Sequence, residues 1–245
     1  FFVDDNIVGD PRRARELFRA LRGSGIRWMG QASINTARSP DVLDLMAESG
    51  CAGLLVGFES LNAEGLACVN KQVNRSVDYA VALDAFRRRG IVIYGTFMFG
   101  LPTDTAEVHR EAVAFALRHR MFMAAFNHLV PFPGTPLYES LENEGRLTHP
   151  AWWLSEDYRF GDSPFRPLNG TPEQLRERCH EARCAFYGIP SILRRAGDRQ
   201  ANCRNPRRAG LYFLMNFLLR CEIRLKRGLP LGVRDGRPRA TRPGP

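Results

Sequence analysis

The stretch GIVIYGTFMFGLPTDT, from Gly90 to Thr105, decides the fold. Ile91 to Phe99 is a run rich in β-branched and aromatic residues, the clearest strand in the chain. Gly90 stops a helix before it: from Ser76 to Arg89, Val77, Ala80, Val81, Leu83, Ala85 and Phe86 recur at helical spacing. Gly100-Leu101-Pro102 ends the strand, and Thr103 to His119 reads as the next helix. Phe122 to Val130 is the following strand, closed by Pro131, Pro133 and Gly134. Helices of this length between strands imply right-handed βαβ units with parallel pairing.

The same alternation runs back to the first residue. Gly53 to Phe58 is a short buried strand, followed by a short helix from Asn62 to Val69. Asp41 to Glu48 is a helix that starts behind Ser39-Pro40 and stops at Gly50. Ile26 to Ala32 is a strand. Pro11 to Arg22 is a helix with Asp10 placed to cap it and Ala14, Leu17, Phe18 and Leu21 on one face. Phe1 to Val3 reads as the end of one more strand, giving five. Periodicity does not choose between an open doubly wound sheet and a barrel.

The character changes after Pro150. Trp152, Trp153, Tyr158, Phe160 and Phe165 are interleaved with Pro164, Pro167 and Gly170, a loop-rich cover. It either closes over an apolar substrate or packs against the body. Thr171 to Tyr187 is a capped helix, and Leu211 to Arg227 a second one, apolar and then basic. The expected division is a barrel over residues 1–148, a loop-rich and helical extension over 149–227, and a disordered basic tail over 228–245.

The net charge of +9 is uneven: residues 186–245 hold 14 Lys+Arg against 3 Asp+Glu, while residues 1–185 are slightly acidic. No aromatic interleaving or nucleic-acid motif accompanies this charge, so no nucleic acid is expected. A solvated tail is expected over an anionic partner. The helix at Leu211 to Arg227 has two readings, an intramolecular brace or an interfacial helix with weak membrane-surface contact, and bracing is the expected one. The chain opens on Phe1, which is read as a start inside a longer protein. No secretion signal is recognisable, and the longest apolar run near the C-terminus is broken by Asn216. A cytoplasmic location is expected. The six cysteines, Cys51, Cys68, Cys179, Cys184, Cys203 and Cys221, are expected as reduced thiols without a metal. No C-x-x-C or C-x-x-x-C-x-x-C occurs.

Parallel α/β folds gather chemistry beyond the C-terminal ends of their strands. Those ends carry Asp4-Asp5-Asn6, Glu59-Ser60, Gly95-Thr96 with Gly100-Leu101-Pro102, and Asn127-His128 with the run from Val130 to Pro136. A carboxylate just past a buried strand wants a cation or several donors, which fits a ligand with ammonium and hydroxyl groups. Each of Asp4, Asp5 and Glu59 taken alone equally fits a helix cap or a solvated side chain. Gly95 and Gly100 fit close approach of a flat ligand, or else a bulge or turn.

The segments FVDDN, Trp28, SGCAGLLVGFES, Asn70-Lys71, GIVIYGTFMFGLPTDT and PFPGTPLY, in that order, resemble the radical S-adenosylmethionine superfamily. The branch they resemble often carries an upstream cobalamin-binding domain. The resemblance covers Phe1 to Tyr138 and implies a partial (β/α)6, TIM-like barrel, here without its first strand. It implies a [4Fe–4S] cluster on an upstream C-x-x-x-C-x-x-C loop, so that this chain alone is expected to be inactive. It further implies S-adenosylmethionine, a 5′-deoxyadenosyl radical or methyl transfer through cobalamin, an electron donor such as flavodoxin or ferredoxin, and a small-molecule substrate. By the same resemblance Asp4 and Asp5 meet the methionine amino group. Glu59 and Ser60 meet ribose or the methionyl carboxylate, and Lys71 pairs with that carboxylate. Gly95 to Gly100 supports adenine through backbone and Phe97 or Phe99, and Val130 lies beside adenine. No catalytic side chain is assigned. The competing expectations are an α/β-barrel enzyme using Glu59, Lys71 and His128 as acid–base groups, and a non-catalytic module binding an anionic surface.

Overall fold

The computed structural model describes residues 1–61, 65, 78–148, 151–155 and 157–231. Among them are four strands: β1 (Trp28–Gln31), β2 (Cys51–Glu59), β3 (Val92–Phe99) and β4 (Met123–His128). All pair in parallel, in the order β1-β2-β3-β4. The helices are α1 (Pro11–Leu21), α2 (Pro40–Glu48), α3 (Tyr79–Arg88), α4 (Val108–Arg118), α5 (Pro136–Asn143), α6 (Pro172–Phe186), α7 (Ile189–Ala196) and α8 (Pro206–Lys226). The alternation expected from Pro11 to Val130 is present over the described residues of that span. Its helix starts follow the capping chemistry: Asp10 accepts from the amides of Arg12 and Arg13, and Thr171 and Gln174 form a reciprocal box.

The sheet has one covered and one open face. Phe58, Phe97 and Phe126 form a continuous stack, with centroids 5.4 and 5.3 Å apart. Phe115 of α4 and Phe186 of α6 close on this stack edge-on. Trp28 of β1 stacks in the same layer on Phe18 of α1. Successive side chains alternate across a strand, so Leu55 and Gly57 of β2 and Tyr94, Thr96 and Met98 of β3 take the opposite face, where all are half-buried. The helices α1 to α6 thus bury one face; α7 and α8 pack with Val92, Tyr94 and Met123 on the other, the remainder of which is left for a cover.

The expected fifth strand at Phe1 to Val3 is not formed. The Phe2 amide bonds to the Met29 carbonyl and the Ile7 amide to the Gln31 carbonyl, both at 2.9 Å. Five residues of chain span what two residues of β1 span, so no regular ladder can form. Closure into a six-stranded barrel is likewise not seen among the described residues. The opposite edge is finished by the extension. Arg195 donates to the carbonyls of Met121 and Phe122, and Asn216 also donates to Phe122. The Tyr187 hydroxyl accepts from the Ala124 amide and donates to the Ala124 carbonyl, while Arg183 donates to the Phe126 carbonyl. These side chains satisfy backbone groups that a further strand would otherwise take.

The expectation of disorder from Gly228 onward is corrected for residues 229–231. Phe160 donates to the Leu229 carbonyl at 2.7 Å, and Leu231 donates to the Tyr158 carbonyl at 3.1 Å. These contacts tie residues 229–231 to the cover; residues 232–245 lie outside the described ones. No helix among the described residues is long and apolar enough to cross a membrane.

Candidate functional site

The C-terminal ends of the strands lie in order along one side of the sheet, and β2 supplies its most unusual backbone. Glu59 ends that strand with φ of 58°, in the left-handed region, and the pairing with β3 shifts register between Gly57 and Glu59. A non-glycine residue there costs about 1–2 kcal/mol. The bulge re-aims the carboxylate away from the regular pleat. Ser60 follows and is buried. A Cβ on Gly65 would come within 2.5 Å of the Ser60 hydroxyl and 3.2 Å of the Thr103 hydroxyl, so the segment after β2 packs closely against the loop after β3.

Asp4 and Asp5 are exposed, beside the end of β1. They do not cap α1, because Asp10 does. Asn6 holds the turn around them, accepting from the amides of Val8 and Ser33. Lys71 lies outside the described residues, as does most of the short helix expected from Asn62 to Val69.

At β3 the aromatic expectation has to be corrected. Phe97 and Phe99 are buried on the helix-covered face, Phe97 within the Phe58–Phe126 stack. Only their backbone is available to a ligand on the open face, where the side chains are Tyr94, Thr96 and Met98. The sequence concealed this because both sets of alternate residues are largely apolar. Gly95 has its missing Cβ replaced by Met121 and Phe58, whose atoms lie 2.6 and 3.3 Å from where it would be. Gly100, with φ of 97°, would drive a Cβ to 2.9 Å from both Leu175 and Phe165. Packing within the chain explains both glycines without a flat ligand.

The loop after β3 is held by a residue to which the motif reading gave no role. Buried Asp104 accepts from the amides of Gly100 at 2.7 Å and Leu101 at 3.0 Å. Burial raises its carboxyl pKa, against those two bonds. Asn169 from the cover donates to the carbonyls of Pro102 and Asp104, tying the same loop down. After β4, Val130 is half-buried and the Pro131 carbonyl accepts from the Trp152 indole. Trp152 also packs on Trp153 and Tyr158, so this part of the cover is anchored to the end of β4.

His128 does not suit the acid–base role of the competing reading. It ends β4 on the helix-covered parity, and burial, aided by Arg183, pulls its pKa down from 6.5 to about 4. A cleft of about 150 Å³ opens instead between Tyr94, Ala125 and Asn127 of the sheet and Leu219, Glu222 and Lys226 of α8. Arg183 fixes one wall by donating to the Asn127 side-chain oxygen.

The described cysteines are not grouped to hold an iron–sulfur cluster. Cys51 and Cys179 are buried, which pushes their thiols up to about 12 and keeps them protonated at neutral pH. Among the described residues no three His, Cys, Asp or Glu side chains group to hold a metal ion. Cys68 lies outside the described residues.

No family model matches the chain. It is 31% identical over 201 residues to the bacteriochlorophyllide d C-12(1)-methyltransferase of Chlorobaculum tepidum, covering 82% of this chain and 43% of that protein. It is 30% identical over 155 residues to the hopanoid C-2 methylase of Rhodopseudomonas palustris, covering 61% and 29%. The chain thus spans less than half the length of either methyltransferase. Among solved structures, the radical S-adenosylmethionine methyltransferase TsrM from Kitasatospora setae, with tryptophan substrate and an S-adenosylmethionine analogue bound, superposes with a TM-score of 0.52. That match has 18% identity and covers 91% of this chain and 52% of TsrM. The TsrM structure with cobalamin and a [4Fe–4S] cluster matches with a TM-score of 0.50 and 20% identity, over 71% and 34%. The likeness to TsrM is one of fold, and the curated relatives are methyltransferases.

Proposed function

We propose that this chain is the S-adenosylmethionine-binding barrel portion of a cobalamin-dependent radical methyltransferase acting on a small molecule. The methyltransferase relatives and the TsrM-like fold support that class. Glu59 carries the reading for this chain: a carboxylate on a strained, bulged strand end is the kind of local exception that a ligand site retains. In this reading Asp4 and Asp5 accept from the ligand's ammonium, and Glu59 with Ser60 accepts from hydroxyl groups. Lys71 pairs with the ligand's carboxylate. The backbone from Gly95 to Gly100, with Val130, flanks the adenine. Bound S-adenosylmethionine and cobalamin supply the methyl group to be transferred. No C-x-x-x-C-x-x-C occurs in the 245 residues, so the reading assigns the cluster's thiolates to sequence outside them. An external electron donor such as flavodoxin or ferredoxin completes it.

The test is S-adenosylmethionine affinity in the full-length protein. Glu59→Gln should weaken binding tenfold or more, the effect of losing a charge-assisted hydrogen bond of about 1.5–3 kcal/mol. Its thermal midpoint should stay unchanged. A sharp fall in midpoint with affinity intact would make Glu59 a structural residue and defeat the assignment.

A further inference from the structure

The helix α8 has two apolar sides. Its inner side carries buried Tyr212 and Asn216, with Leu219 and Ile223 packed against the core. This is the bracing role expected of it. Its outer side carries Leu211, Leu214, Leu218 and Leu225, which are 51, 57, 55 and 73% exposed, and exposed Cys221. The spacing alternates between three and four residues, so these side chains form one strip along the helix. Phe217, 43% exposed, widens it. A helix apolar on both sides is normally covered on both.

The charges around the strip say what covers it. Arg207 lies one turn before Leu211, Arg224 lies three residues after Cys221, and both are exposed. Neither has an ion pair or a side-chain hydrogen bond among the described residues. By contrast, Arg208 donates to the carbonyls of Gly90 and Ala201, and Arg220 to that of Tyr187, on the inner side. The one acid of α8, Glu222, is paired with Lys226. The strip is therefore apolar along its length, cationic near both ends and free of carboxylates. A second copy laid on it, parallel or antiparallel, would set arginine against arginine. Phosphate headgroups above acyl chains match both features.

We infer that the outer side of α8 is an interfacial surface that seats the protein on an anionic lipid bilayer. The helix lies flat, with Leu214 and Leu218 entering the acyl boundary and Arg207 and Arg224 meeting phosphate. Binding is peripheral and sensitive to salt. It needs neither S-adenosylmethionine nor a cluster, so its test stands apart from that of the methyltransferase reading.

The whole chain is sedimented with vesicles of phosphatidylcholine alone and of equal parts phosphatidylcholine and phosphatidylglycerol. Capture by the anionic vesicles only, reduced by added salt, is expected. R207A/R224A should weaken capture about thirtyfold, the combined worth of two interfacial arginines. L214E/L218E should abolish it. All four side chains are exposed, so thermal midpoints should hold for both variants. Absence of capture by anionic vesicles, or equal capture of both variants and the parent, would overturn the inference. So would a concentration-dependent dimer that L214E/L218E dissolves and vesicles do not disperse, because the strip would then belong to a second copy.

Discussion

The two edges of the sheet are finished by opposite means. At β4 the extension reaches across 57 to 94 residues of sequence to place Arg183, Tyr187, Arg195 and Asn216 on backbone groups from Met121 to Phe126. At β1 the local segment supplies two backbone bonds, from Phe2 and Ile7, and leaves Phe1 and Val3 73 and 82% exposed. One edge is terminated by side chains fixed in a polar network, and the other is merely accompanied. A sheet edge can thus be closed without adding a strand, provided enough donors and acceptors are held rigidly above it.

The largest test of this contrast is Arg195→Met. Arg195 is fully buried and donates to four carbonyls or amide oxygens: Met121, Phe122, Phe186 and the Asn216 side chain. Its guanidinium also lies 3.8 Å from the centroid of the Phe186 ring. Removing it strands several buried acceptors, so urea unfolding should register a loss of about 3–5 kcal/mol. A loss below about 1 kcal/mol would mean that the network is not what terminates β4.

The next test concerns pH. His128 ends the sealed strand, and its pKa is depressed from 6.5 to about 4 in the folded protein. Between those values the unfolded chain binds a proton that the folded chain refuses, so stability falls as pH drops through the window. The contribution is of order 2 kcal/mol. His128→Gln should flatten the stability profile between pH 6.5 and 4 relative to the parent; identical slopes would show that the ring titrates freely.

The smallest effect is expected at the other edge. Phe2 meets Trp28 edge-on at 5.4 Å, and Phe2→Ala should cost under about 1.5 kcal/mol, the scale of one aromatic pair. Its signature is local. Amide exchange should quicken at residue 2 and Ile7, while the Ala124 amide, bonded to the Tyr187 hydroxyl, keeps its protection. If both edges loosened together, the two would form one cooperative unit and the contrast would dissolve.

The legible part of the molecule is the part governed by local rules. Ile91 to Phe99 announces a buried strand, Gly90 and Asp10 mark helix limits, and Thr171 with Gln174 spells out a capping box. Such signals need only neighbours in sequence. Facing is different: Thr96 and Met98 lie on the open side and Phe97 and Phe99 on the covered side, yet all four sit in one apolar run. The polar termination of β4 was hidden more deeply. Arg195 and Asn216 read as members of a basic extension, and only the fold turns them inward to meet backbone groups far away in sequence. Phe1 to Val3 misled in the reverse direction, since strand-like composition cannot report that its partner pairs it irregularly. At the candidate site, Glu59 stood out by position, but its left-handed backbone had no sequence signal, because glycine or asparagine would be the usual occupant.

The Tyr187 hydroxyl, which both accepts from and donates to Ala124, has a consequence for assembly. A sheet with two receptive edges can grow by head-to-tail addition without limit, as a fibre does. With β4 occupied in this way, a strand from another molecule finds the backbone groups of Ala124 already taken. A single phenolic oxygen in the right place thus helps deny polymerisation through the sheet one of the two edges it needs.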